Sequence, residues 1–161
     1  MELNLESLQE YLTKQDHQPQ LQKETNQVYI IFKQEGRDFP LFFRIFEGGE
    51  LLQLLIFIPC SLRKTAANDL ARLLVYLNKE LDIPGFGMDE SSSLVFFRVM
   101  IPAYDGGIPE KILDSMLSSI RTICQTFAPV VAAVATGTNT FEDVLKKIRE
   151  SQPNPPSKLG K

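Results

Sequence analysis

The chain has 161 residues, about the length of one ordinary domain, and 43% of them are hydrophobic, which is enough to build a core without disulfides or metals. Its 17 basic and 20 acidic residues give a net charge of -3, so no overall positive field would hold nucleic acid or an anionic membrane. The acidic, amphipathic first residues are unlike a leader peptide, and no apolar run reaches the ~20 residues that a membrane helix needs. We therefore expect a cytoplasmic protein that binds neither nucleic acid nor membrane.

The N-terminal segment begins with helical periodicity. Leu5, Leu8 and Leu12 recur at the spacing of one helix face, which predicts a short amphipathic helix over residues 3–14. A polar stretch over residues 15–27 is then expected to be a connector.

Three strands follow, because the apolar period changes to two. They are predicted at residues 28–33, 39–46 and 51–58, with residues 36–37 as a type II′ turn and residues 48–49 as the second turn. These turns imply a register in which all facing residues are apolar. The predicted pairs are Phe32 with Leu41, Ile30 with Phe43, Val28 with Ile45, Ile45 with Leu52, Phe43 with Leu54, and Leu41 with Ile56. We call the side of the sheet that carries these residues the first face.

The opposite side, the second face, is also largely apolar, whereas one face of an antiparallel sheet is commonly polar. It mixes aromatic and aliphatic side chains with arginine and few acids, as the cores of protein interfaces do. Two explanations remain open: either the N-terminal helix covers this face, or another protein does; a nucleic-acid platform is the weaker alternative in an acidic chain. The residues predicted to bind a partner are Phe42, Arg44, Phe46, Gln53, Leu55, Phe57, Phe96, Arg98 and Met100.

A long helix and two more strands come next. Ser61 is a suitable N-cap for a helix over residues 62–81, which Pro84 and Gly85 would end. Its predicted buried stripe is Leu62, Ala66, Leu70, Leu73, Leu77 and Leu81. Residues 86–88 and 94–101 then predict a short strand and a longer one.

The C-terminal third is predicted to be helical. Pro109 would open a helix whose buried stripe is Ile112, Met116, Ile120, Ile123 and Phe127. Pro129 is expected to bend or end this helix, so that residues 130–135 form a separate turn stopped by Gly137. Thr140 and Asp143 resemble a capping box for a last helix over residues 141–150. We expect one domain over residues 1–150 and a disordered, proline-rich tail over residues 151–161.

Few residues could carry catalysis. The one histidine, His17, falls in the polar connector, whereas acid–base and nucleophilic catalysis usually pairs a histidine with a nucleophile or a carboxylate. Cys60 and Cys124 lie far apart in apolar stretches, which predicts buried, reduced thiols and not zinc ligands. The glycines around residues 85–87 and 106–107 match no phosphate-binding motif. We expect no enzymatic activity, no cofactor and no metal site.

Element order and four short motifs give the chain a family resemblance. The predicted order is α-β-β-β-α-β-β-α with an extra C-terminal helix, an α+β fold in which helices pack on an antiparallel sheet made of a three-strand meander and a later two-strand hairpin. The motifs are Leu77-Asn78-Lys79-Glu80-Leu81, Gly85-Phe86-Gly87-Met88-Asp89, Val95-Phe96-Phe97-Arg98 and Asp105-Gly106-Gly107-Ile108-Pro109. Over residues 3–136 the chain resembles the YbjN-like family of bacterial sensory transduction regulators, whose fold is that of type III secretion chaperones.

The resemblance implies a non-enzymatic, often paired domain that binds protein, and it supplies no catalytic or cofactor residues. The last helix and the tail are departures from the core fold of the family. Our leading hypothesis is a homodimeric protein-binding or chaperone-like regulator whose second face forms either the dimer seam or a groove for an extended partner segment. The alternative is a sensor that holds an apolar small molecule between the sheet and the N-terminal helix.

Overall fold

A six-stranded antiparallel sheet and four helices make up residues 1–83 and 85–151, the part of the chain that the computed structural model describes. The strands are β1 (Gln20–Gln22), β2 (Gln27–Gln34), β3 (Arg37–Ile45), β4 (Leu51–Phe57), β5 (Phe86–Asp89) and β6 (Leu94–Pro102). The helices are α1 (Leu5–Lys14), α2 (Ala67–Glu80), α3 (Glu110–Ala135) and α4 (Phe141–Ser151). The strand order is β1-β2-β3-β4-β6-β5, so the predicted α+β class is confirmed, and β1 is an addition within the predicted connector.

The first hairpin turns one residue earlier than predicted. Glu35 (φ 49°) and Gly36 (φ 73°) both have positive φ, as a type I′ turn requires, so the predicted type II′ turn is wrong. Phe32 consequently pairs with Phe39, and Ile30 with Leu41, which is a shift of two residues in the predicted register. Because side chains alternate with a period of two, a shift of two leaves every side chain on the predicted face.

The second hairpin has the predicted register, but its connection contains a 3₁₀ turn over Glu47–Gly49 and is longer than the predicted two-residue turn. Gly48 and Gly49 both have positive φ, at 86° and 66°, a conformation that glycine adopts without steric cost. Phe43 pairs with Leu54 and Ile45 with Leu52, so this register is confirmed.

The core lies between the first face and the helices. From the sheet it contains the residues of the first face on β2, β3, β4 and β6, all less than a tenth exposed. From α1 it contains Leu8 and Leu12, both fully buried. The Tyr11 hydroxyl of α1 donates a hydrogen bond of 2.6 Å to the Asp114 carboxylate of α3, so α1 lies beside α3 on the helical side of the sheet.

The second helix starts later than its sequence suggests. A single 3₁₀ turn occupies Lys64–Ala66, and α2 begins at Ala67 without a side-chain cap, so Ser61 is not the N-cap. The stripe itself is correct: of its six predicted residues five are buried, and Leu81 is half-buried.

Pro129 does not end α3, which continues through it for a total of 26 residues. A proline inside a helix removes one backbone hydrogen bond, but Ala128 and Val131 on either side of it are fully buried, so packing holds the helix together.

The buried stripe of α3 is displaced from the predicted one, because Ile112 is 43% exposed. The buried residues are Leu113, Leu117, Ile120, Cys124, Ala128, Val131, Val134 and Ala135. By length and composition alone α3 could span a membrane, a test that core helices also pass.

The C-terminal capping box is present. The Thr140 hydroxyl accepts a hydrogen bond of 3.1 Å from the Asp143 backbone N–H, and the Asp143 carboxylate accepts one of 2.8 Å from the Thr140 backbone N–H.

Of the two thiols predicted to be buried, Cys124 is buried and Cys60 is half-buried. Ser151 is the last residue of α4, and the rest of the predicted disordered tail lies outside the described residues.

Candidate interaction surface

The structure places all nine residues predicted to bind a partner on one side of the sheet, away from the helices. Eight lie on β3, β4 and β6, and Phe46 follows directly after β3. The backbone pairing sets three of them in one row across the sheet, since Phe42 pairs with Leu55 and Leu55 pairs with Arg98. Two further rows contain Arg44 with Gln53 and Met100, and Phe57 with Phe96. The residues therefore form a continuous surface across the central strands.

Aromatic rings occupy the middle of this surface. Phe42 stacks on Tyr29 with ring centroids 5.2 Å apart and meets Phe57 edge-on at 5.7 Å. Tyr29 and Ile31 belong to the same face, although they are not among the residues predicted to bind a partner. Mutual packing of the rings explains why Phe42 and Phe57 are half-buried with no helix over them.

No residue of the second face is buried, in contrast to the first face. Ile31, Leu94 and Met100 are 49%, 41% and 39% exposed. The alternative in which the N-terminal helix covers this face is wrong, because Leu8 and Leu12 of α1 are buried in the core on the other side. Within residues 1–83 and 85–151, the second face has no cover.

The two arginines of the second face rest on aromatic rings. The Arg44 guanidinium lies 5.1 Å from the Phe46 ring centroid, and that of Arg98 lies 6.0 Å from Phe96. Neither takes part in the ion pairs found in the described part of the chain. Both charges are therefore available to an incoming carboxylate or aromatic ring.

Two acidic residues lie at one end of the second face, Asp38 on β3 and Asp89 on β5. The Asp89 carboxylate accepts hydrogen bonds of 2.6 Å from the hydroxyls of both Ser91 and Ser92, which lower its pKa to about 2. Its charge is thus already engaged by its own loop. Asp38 makes no ion pair within the described residues.

One of the family-like motifs is explained by a clamp between α2 and β5. The Asn78 side-chain oxygen accepts hydrogen bonds from the backbone N–H groups of Gly85 (3.1 Å) and Phe86 (2.8 Å), and its amide donates to the Phe86 carbonyl at 2.9 Å. Asn78 thereby holds the edge strand of the sheet against the helix. The role of Asn78 is structural. The motif that contains it is therefore typical of the fold and does not indicate a catalytic site.

The glycines of the next motif allow close approach to β6. A Cβ on Gly85 would lie 1.9 Å from the Arg98 carbonyl oxygen, and a Cβ on Gly87 would lie 2.7 Å from the Phe96 ring. Gly87 thus lets the Phe96 ring lie flat against β5 at the edge of the second face.

The interface between α1 and the sheet is filled with side chains, since Leu8 and Leu12 are fully buried. An open cleft of about 260 Å³ lies at the end of α1, where the Gln15 side-chain amide donates to Asp114 at 3.3 Å. His17, expected to be a solvated loop residue, is instead half-buried with its ring edge-on to Phe32 at 5.6 Å. Burial and the nearby Arg121 lower the pKa of His17. This cleft is polar, unlike the apolar space that a sensor of apolar molecules would need.

Potential metal ligands are dispersed. In the described ranges, no three His, Cys, Asp or Glu side chains come together as a metal site would require. Burial raises the pKa of the Cys124 thiol to about 12 and also raises that of Cys60, so both thiols are poor nucleophiles near neutral pH.

Comparison with known proteins places this chain in a family. The model of the YbjN family, described as "putative bacterial sensory transduction regulator", matches residues 4–133, which is most of the chain. The chain therefore belongs to the YbjN family, and α4 lies beyond the matched residues. A search of curated proteins gave no match.

A solved structure shares the fold. The crystal structure of the ExsC–ExsE complex contains a chain that is similar with a TM-score of 0.57 and 15% identity, covering 82% of this chain and 98% of that one. At this identity the likeness shows the fold alone. The predicted resemblance to the YbjN family and to a type III secretion chaperone-like fold is confirmed.

Proposed function

We propose that this protein is a non-enzymatic, cytoplasmic regulator that binds protein in a chaperone-like manner, and that it forms a homodimer through the second face. The observation that carries the proposal is the contrast between the two faces of one sheet. The first face is buried under the helices, and the second is largely apolar but uncovered within the described residues.

The composition of the second face supports protein binding. Aromatic residues, Met and Arg are enriched in the cores of protein interfaces, and acids are depleted there. The central four strands carry aromatic rings, Met100 and two arginines, while the two acids stand at one end. An exposed surface of this kind in a soluble protein marks an interaction site.

The family and the fold agree with this proposal. The family description is of regulators, which act by contacts with other molecules, and the similar solved structure is a complex of two proteins. The described part of the chain assembles no metal site, and its thiols have raised pKa values. These features favour a binding function over catalysis.

The size of the second face indicates how stable the proposed dimer would be. Four strands spaced ~4.8 Å apart and seven residues rising ~3.4 Å each give a footprint of ~19 by ~24 Å. This is small beside the ~800 Å² per partner of a standard interface, so the dimer is expected to be reversible and to depend on protein concentration.

Sedimentation velocity over a wide range of protein concentration tests this function. Leu55→Asp places a charge in the centre of the second face and should abolish the dimer while the far-UV circular dichroism spectrum stays native. Val75→Asp is the matched control, because Val75 is 71% exposed on α2 and lies away from the sheet. A wild-type protein that sediments as a monomer at every concentration, or a dimer unaffected by Leu55→Asp, would refute the dimer.

A further inference from the structure

The pairing of strands in the second face suggests how two copies meet. This inference rests on the proposed dimer and adds its symmetry. We propose that two copies stack through their second faces about a two-fold axis that lies between them. The axis runs across the strands, parallel to the row of Ile30, Leu41, Ile56 and Phe97. With this symmetry, Arg44 of each copy pairs with Asp38 of the other.

The axis is defined by the register of the sheet. Ile30 pairs with Leu41, Leu41 with Ile56, and Ile56 with Phe97, so the four residues form one straight row across β2, β3, β4 and β6. Rotation by 180° about an axis parallel to this row, and midway between the two copies, sets positions at equal distance on either side of the row along each strand opposite each other. On β3, Arg44 and Asp38 lie three residues on either side of Leu41, about 10 Å from the axis. Each Arg44 thus faces Asp38 of the second copy.

The same rotation matches the apolar residues on the other strands. On β6, Met100 and Leu94 lie three residues on either side of Phe97, so these two exposed side chains would cover each other between copies. One residue from the axis, Arg98 faces Phe96 of the second copy, which repeats the cation–π contact already present within one chain. On β4, Leu55 faces Phe57.

The alternative symmetry is less complementary. An axis parallel to the strands, between β3 and β4, would exchange residues within one row. Arg44 would then face Gln53, and the exposed Met100 would face Gln27. No carboxylate would oppose either arginine of the second face.

Distance and charge both permit the proposed pairing. Packed sheets lie ~10 Å apart, which an arginine and an aspartate reaching towards each other can span. Asp38 is exposed and makes no ion pair within the described residues. β3 is a central strand, so sheet twist, which accumulates away from the centre, displaces this pair least.

Charge reversal in trans tests the symmetry. Arg44→Glu alone, or Asp38→Arg alone, sets like charges together twice per dimer, and each should weaken dimerisation about tenfold at low salt. A mixture of the two variants restores opposite charges at both contacts, so heterodimers should form with affinity near that of the wild-type protein. Native mass spectrometry of the mixture distinguishes the heterodimer by its mass.

The outcomes separate the symmetry from the dimer itself. Recovery in the mixture, but in neither variant alone, supports the proposed axis. If the variants dimerise like the wild type, or the mixture stays as weak as they are, while Leu55→Asp still abolishes the dimer, then the axis is wrong and the second face remains the interface. If Leu55→Asp has no effect either, the proposed dimer fails as well.

Discussion

Asn78 offers a direct test of how the edge of the sheet is held. Its side chain makes three hydrogen bonds to the backbone of Gly85 and Phe86, at 2.8 to 3.1 Å, and it is half-buried. Asn78→Ala removes all three and leaves two backbone N–H groups and one carbonyl without this partner. At about 1 kcal/mol of net stability for each hydrogen bond, the free energy of unfolding should fall by about 2–3 kcal/mol.

Urea denaturation followed by far-UV circular dichroism measures this loss, which corresponds to a decrease in Tm of roughly 5–10 °C for a chain of this size. Asn78→Asp is an informative second variant, because the carboxylate can still accept from both N–H groups but sets an oxygen, in place of the donor, against the Phe86 carbonyl. It should cost less than the alanine variant but more than the loss of one hydrogen bond. A loss below ~0.5 kcal/mol for Asn78→Ala, a change typical of ordinary surface substitutions, would refute the clamp, as would equal losses for the two variants.

Two further predictions concern the glycine motif and the last helix. Gly85→Ala should be much more destabilising in urea than Gly87→Ala, because its Cβ would strike the Arg98 backbone carbonyl at 1.9 Å, whereas the Cβ on Gly87 would meet only a side-chain ring that can move; equal midpoints would contradict this. Hydrogen bonds from the Thr140 backbone N–H and hydroxyl lower the pKa of Asp143 below its usual 3.8, so the capping box stabilises α4 above that pH and its contribution is lost as the pH falls through the lower folded value. The protection factors of the α4 amides, which correct for the pH dependence of intrinsic exchange, should fall over that acidic range in the wild type and should not change there in Asp143→Asn.

The alternation of side chains in the strands could be predicted from the sequence, even though one register was wrong. The turn at Glu35 and Gly36 was missed because glutamate rarely adopts positive φ, and Gly36 with Arg37 fitted a common turn type. The error did not move any residue of the second face, because the shift was two residues, the period of a strand. The predicted partner-binding residues therefore do lie together, while their binding role remains a proposal.

Helix boundaries were less predictable than helix faces. Proline's low helix propensity predicts a break at Pro129, and capping preferences predict an N-cap at Ser61. Neither the break nor the cap is present. Burial of Ala128 and Val131 outweighs the hydrogen bond that Pro129 removes. Capping by Thr140 and Asp143 was predicted correctly because it depends only on residues three apart in the chain.

The sequence by itself determined the class of fold, the two apolar faces of the sheet and the lack of an obvious catalytic motif, because these follow from composition and from short periodicities. Only the tertiary structure decided which face the helices bury. Leu5, Leu8 and Leu12 give α1 an apolar stripe that could pack on either side of the sheet. The hydrogen bond from Tyr11 to Asp114, which is 103 positions away in the chain, ties α1 to α3, and the second face is left uncovered. The side of the sheet on which α1 packs depends on contacts between segments far apart in the chain, and a local sequence pattern cannot predict such contacts.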